Sequence, residues 1–217
     1  MRAAAFALGL AVVCAGTSAA DTPASTSMAG FARYESNKWL FRPCIGQGRS
    51  STLRQTGAPF IDATPGGVLF AAVQERWRQS TDPSRGVFVE VSGYVEDGRV
   101  TVTRLQRALG WVESCSGRPA NVPQGARAWA AGNEPSWGFV LEGNVATVRT
   151  MDAVWKSADG AWRESGSTAV FQSTRGGQVR IEFTDGLCKD TMAEASFGRR
   201  VVAAVDGRLL TGCGLVR

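Results

Sequence analysis

Histidine is absent from all 217 residues. That removes the side chain that most often acts as a general base near neutral pH, both the Ser-His-Asp and Cys-His arrangements, and the commonest metal ligand. Lysine is scarce, with only Lys38, Lys156 and Lys189, so arginine carries most of the positive charge. No Cys-x-x-Cys occurs, and no two cysteines have the close spacing of a zinc site. No Gly-x-Ser-x-Gly is present, and Gly46-Gln47-Gly48 is not followed by Lys-Ser/Thr, which excludes a phosphate loop. Beyond the first twenty residues no apolar run approaches the length of a membrane span. These absences point to a protein without a cofactor or a metal.

The N-terminus reads as an export signal. Met1-Arg2 supplies positive charge, Ala3 to Gly16 is apolar, and Ser18-Ala19-Ala20 ends the stretch with small residues, which places cleavage between Ala20 and Asp21. Cys14 offers a rival reading as a lipidated cysteine. Val13 stands before it where a lipoprotein signal has a small residue, so a periplasmic or secreted protein is favoured over an outer-membrane lipoprotein. Removing Arg2 with residues 1–20 leaves 23 basic and 19 acidic side chains, a net +4 without a basic run. No nucleic-acid partner is expected from such interspersed charge.

Four cysteines then remain: Cys44, Cys115, Cys188 and Cys213. An even number in an oxidising compartment implies two disulfides, with three possible connectivities. Residues 21–30 are small and polar and read as a flexible leader. Residues 116–126, with two prolines and Gly-rich composition, read as a linker between a domain at 31–115 and a second at 127–217. Each domain then holds two cysteines, which favours Cys44–Cys115 and Cys188–Cys213.

The element pattern is mainly β. In the first domain Phe31 to Tyr34 and Lys38 to Arg42 read as strands. Thr64 and Pro65 open a helix running to Arg78, and Val87 to Val95 and Val100 to Leu105 form a hairpin around Asp97-Gly98. The second domain is a series of short strands with Gly-rich turns, as in a small antiparallel barrel. The expected architecture is an OB-like α+β N-terminal domain followed by a small antiparallel β-barrel domain.

Three blocks in the second half carry a resemblance: Gly132-Asn133-Glu134-Pro135-Ser136-Trp137, Cys188-Lys189-Asp190-Thr191-Met192, and Gly212-Cys213-Gly214. Residues 127 to 217 resemble a group of uncharacterised bacterial envelope proteins that share these blocks in this order. Ser136 departs from the aromatic usual there. The resemblance implies a fold and a compartment but no activity. Tyr34-Glu35-Ser36, Phe41-Arg42-Pro43-Cys44 and the Val87 to Leu105 hairpin resemble the OB-like C-terminal domain of NlpE lipoproteins. That implies a role in envelope or metal-stress sensing, although the Cys-x-x-Cys and the lipidation signal of those proteins are missing here.

Candidate ligand-binding residues are Asn133, Glu134, Trp137 and Asp190. Two carboxylates, Glu134 and Asp190, can hold a cation or do acid–base work if they meet. The competing reading is structural: Asn133 and Glu134 hold a turn before Pro135, and Asp190 caps a short helix from Thr191 to Ala195. Trp129, Trp137, Trp155 and Trp162 could line a pocket, but a barrel this small is filled by its own side chains, and core is the favoured reading. Lys38, Arg42, Arg49 and Arg54 could decorate a face of the OB-like domain, with Trp39 and Phe41 alternating toward one side. The function expected is non-enzymatic binding of a partner protein or small ligand in the cell envelope. The alternatives are a hydrolase using Glu134 and Asp190, and an NlpE-like sensor.

Overall fold

The computed structural model describes residues 23–44, 57–80, 86–110, 125–173 and 179–217, with Asp82, Ser84, Val112, Cys115, Val122 and Pro123. The expected export signal with Cys14, the expected cleavage between Ala20 and Asp21, Arg49, Arg54 and most of the expected linker at 116–126 lie outside them.

Five strands make the first barrel: β1 (Thr26–Glu35), β2 (Lys38–Pro43), β3 (Ala58–Asp62), β4 (Val87–Glu96) and β5 (Arg99–Leu109). β1 pairs with both β2 and β4, β3 with both β2 and, in parallel, β5, and β4 with β5. The ring therefore closes in the order 1-2-3-5-4, the Greek-key order of an OB fold. Helix α1 (Val68–Gln79) sits between β3 and β4 and packs Leu69, Ala72 and Val73 onto Phe41, Phe60, Val89 and Val102. Regular α-helix starts three residues after Pro65, because Gly66 and Gly67 take left-handed backbone angles and Pro65–Gly67 forms a 3-10 turn. The first-turn donors are satisfied from the preceding loop: Leu69 N donates to Thr64 Oγ1 at 3.2 Å and Phe70 N to Asp62 Oδ2 at 2.9 Å.

The expected flexible leader is corrected for residues 26–30, which form the first half of β1. Thr26 to Gly30 pair with Gly93 to Val89. Gly30 in this stretch is small because β2 lies close on its other side: a Cβ there would lie 2.3 Å from the Arg42 carbonyl oxygen and 2.7 Å from the Phe41 ring.

Among the described residues nine strands follow: β6 (Ala126–Asn133), β7 (Ser136–Glu142), β8 (Val145–Thr150), β9 (Val154–Ser157), β10 (Gly160–Ser165), β11 (Thr168–Ser173), β12 (Val179–Asp190), β13 (Ala195–Val205) and β14 (Arg208–Val216). All their pairings are antiparallel, in the order β9-β8-β7-β6-β14-β13-β12-β11-β10. The two ends of this ladder are successive strands joined only by Ala158 and Asp159, so the sheet curls on itself and the chain spans the seam. Half-buried positions fall on Trp155 and Ser157 in β9 but on Gly160 and Trp162 in β10. That change of parity marks a bulge-like corner. The interior is filled by Trp137, Phe139, Phe171, Ile181 and Phe183, with Trp155 and Trp162 packed against it from the seam.

The two barrels share one sheet and one further core. Ala195, Ser196 and Phe197 of β13 pair with Leu109, Ala108 and Arg107 of β5. Phe88, Leu109, Val122, Trp129, Phe197 and Leu215 form a buried cluster between the barrels. The Trp129 and Phe197 rings stack there at 5.3 Å. Both disulfides, Cys44–Cys115 and Cys188–Cys213, border this cluster. The run Val87 to Val91 is buried on both faces because its odd positions face the OB core and Phe88 faces the shared one. Glu90 in that run is held by Arg107 (Nε–Oε2 2.9 Å) and by Arg217 (Nη2–Oε2 3.2 Å). Gln106 Oε1 accepts from Val216 N at 3.2 Å.

Candidate functional site

The three resemblance blocks meet in space. Asn133 ends β6 and Trp137 lies in β7, across a turn that holds Glu134 and a cis Pro135. Asp190 ends β12, and Gly212-Cys213 lie in β14. Asn133 Nδ2 donates to Asp190 Oδ1 at 3.0 Å, and the same oxygen accepts from the backbone N–H of Met192 and of Ala193, each at 3.0 Å. Trp137 Nε1 donates to the Thr211 carbonyl at 2.9 Å. Glycine is required where these parts touch. A Cβ on Gly132 would lie 2.2 Å from both the Thr211 oxygen and Trp137 Nε1, and one on Gly212 would lie 2.1 Å from the Ala131 oxygen.

This arrangement is a clasp that joins the β6–β7 turn, the β12–β13 hairpin and β14. Asp190 caps a tight turn over residues 191–194 and not the expected short helix from Thr191, because β13 resumes at Ala195 to pair with β5. Asn133, Glu134 and Asp190 line one open groove, while Trp137 is 4% exposed and belongs to the barrel core. Lys189 Nζ ties the groove's edge to Glu75 of α1 at 2.8 Å. Three of the four tryptophans gather on one packed core, Trp137 inside it and Trp155 and Trp162 against it at the seam, while Trp129 sits between the barrels. On the OB face, Arg42 is engaged by Glu35 at 3.2 Å, and Trp39 and Phe41 pack on the core side.

Two features were not legible in the sequence. The first is a set of charged groups built around one buried arginine. Arg199, 1% exposed, pairs with Asp185 at 3.0 Å across the β12–β13 ladder. Burial pulls the Arg199 guanidinium below its ordinary pKa, and Asp185 opposes that shift. Glu164 accepts from Trp162 Nε1 at 2.7 Å and from Arg127 Nη2 at 3.1 Å, and Arg127 lies over the Trp162 ring at 5.2 Å. Partial burial raises the Glu164 pKa, but these donors outweigh it and the carboxyl lies below its ordinary value.

The second is a cleft of about 280 Å³ in the mouth of the C-terminal barrel. Val148, Met151, Trp155, Val205 and Leu210 give it apolar walls. Its rim carries Asp152, Asp206 and Arg208, with Arg208 Nη1 at 3.2 Å from Asp152 Oδ2. Met151 is 78% exposed. The lining comes from the ends of β7, β8, β9, β13 and β14, so no single stretch of sequence announces it.

Among the described residues, no group of three or more Cys, Asp or Glu side chains could hold a metal ion. Also among them, no helix is long and apolar enough to cross a membrane. No family matches the chain, and no curated protein or solved structure matches it either.

Proposed function

We propose that this chain is a non-enzymatic binding protein of the cell envelope, exported by residues 1–20, that holds a small ligand in the mouth of its C-terminal barrel. The observation that carries this reading is the cleft itself. The barrel interior is packed with aromatic rings, yet at one end Met151, Trp155 and Leu210 leave an apolar space framed by polar rim groups. Small-molecule sites have this composition: mostly apolar walls with a few placed polar groups. Two disulfides suit an oxidising compartment and support export. The clasp supplies rigidity under the mouth, since Pro135 and Ser136 of the cleft wall directly follow Asn133 and Glu134.

The hydrolase reading asks Glu134 and Asp190 for acid–base chemistry, and it draws no support from an Asp190 Oδ1 already shared by three donors. A partner-protein reading is favoured by Met192, 77% exposed on the groove that holds Asn133 and Glu134.

Titration with benzyl alcohol, followed by the methionine methyl and tryptophan indole resonances of the whole protein, tests the proposal. Shifts are expected to concentrate on Met151 and Trp155. Ala153→Trp, at an exposed rim position, is expected to abolish them while the protein stays folded. Shifts that centre on Met192, or that persist unchanged in Ala153→Trp, would overturn it.

A further inference from the structure

We infer that the barrel-mouth cleft selects a small apolar cation: a compact apolar body bearing one positive charge. This rests on reading the cleft as a binding site and adds the class of its ligand. The size sets the first limit. About 280 Å³ lies just below the roughly 300–1,000 Å³ of sites for drug-sized ligands. A single ring with a short substituent fits, and a long acyl chain does not.

The walls set the second. Trp155 contributes an aromatic surface, Met151 a polarizable thioether, and Val148 and Leu210 saturated carbon. An indole face attracts a cation through its quadrupole, and a cation with an apolar body desolvates at low cost beside it.

The rim sets the sign. Asp152 and Asp206 face a single guanidinium, Arg208. Arg208 already engages Asp152. Asp206 has no ion-pair partner among the described residues, so the described rim carries one uncompensated negative charge. Arg149 and Lys156 do not offset it from within, because they alternate with the core-facing Val148 and Trp155 and stand on the outer surface of the barrel. An anion entering this mouth would meet Asp206. The Arg208 donors that Asp152 leaves free could reach it only with the Asp152 carboxylate beside them. A cation meets neither obstacle.

Three probes of matched size, benzylammonium, benzyl alcohol and phenylacetate, separate charge from shape when titrated into the whole protein at low salt. Benzylammonium is expected to bind roughly fivefold tighter than benzyl alcohol, with phenylacetate weakest. Asp206→Asn is expected to bring benzylammonium down toward the affinity of benzyl alcohol, keeping only the part of the preference that the Trp155 ring supplies. Asparagine tolerates the positive φ of 48° at this turn, so the variant keeps its backbone. If benzyl alcohol binds as tightly as benzylammonium, or phenylacetate binds tightest, the charge inference fails while the cleft remains a binding site. If none of the three perturbs Met151 or Trp155, the binding-site reading fails and this inference with it.

Discussion

Asp190 Oδ1 gathers donors from two separate turns, one through the Asn133 side chain and one through the backbone of Met192 and Ala193. Its loss leaves two backbone N–H groups and the exposed Asn133 amide to find new partners. Asp190→Ala is expected to lower unfolding free energy by about 2 kcal/mol or more, measured by urea denaturation. Glu134→Ala, at an exposed turn position, is expected to stay within about 0.5 kcal/mol of the parent. Equal and small effects for the two would contradict the clasp. Residue types at this spot were legible in the sequence: Asn133, Glu134, Trp137 and Asp190 stood out as a set, and three of them line one groove. Their roles were not legible, because an oxygen shared between a turn and a side chain 57 residues away leaves no local pattern. Arg199 was less legible still. Nothing local in Gly198-Arg199-Arg200 separates the two arginines, and only the ion pair with Asp185 across the β12–β13 ladder singles out the buried first one.

At the scale of elements, the hairpin of β4 and β5 was read within a few residues because Asp97-Gly98 fixes its turn and valines alternate on both sides. Glu90 was the unread signal inside it, a carboxylate in the middle of Val87-Phe88-Val89-Glu90-Val91. Its place is explained by Arg107 opposite in β5 and by Arg217 from the other barrel. Burial by itself raises the Glu90 pKa, but the two guanidinium groups outweigh it and hold the carboxyl below its ordinary value of 4.5. The folded state therefore binds this proton less readily than the unfolded chain. The resulting stabilisation is fully present above about pH 4.5 and is lost as pH falls through the lower folded value. Stability of the parent is expected to fall more steeply between roughly pH 5 and pH 3 than that of Glu90→Gln. At neutral pH the variant is expected to be weaker by about 3 kcal/mol, because it leaves a buried Arg107 without its carboxylate. Parallel pH curves for the two proteins would contradict this account of the strand.

At the scale of the whole molecule, the mainly-β architecture, the OB-like order of the first half and the barrel of the second were legible from turn spacing and strand periodicity. The union of the two was not. A Pro- and Gly-rich stretch before Ala126 suggested separate cores, yet Val122 sits in a cluster common to both barrels, and Arg217 Nη1 donates to the Pro123 carbonyl at 3.0 Å. Phe88, Trp129 and Leu215 alternate with residues facing their own barrels, so each stretch shows a strand buried on two faces without naming its second neighbour. The disulfides close loops of 71 and 25 residues beside that cluster. In the chain-entropy model they are worth about 4.4 and about 3.5 kcal/mol respectively.

Native mass spectrometry without reductant, on protein expressed from the full gene and recovered from the cell envelope, tests the binding account most directly. The expected mass is that of residues 21–217 less four hydrogens, plus a small bound species that is absent from Ala153→Trp prepared in the same way. A bare chain in both preparations, or a bound species retained in Ala153→Trp, would contradict it.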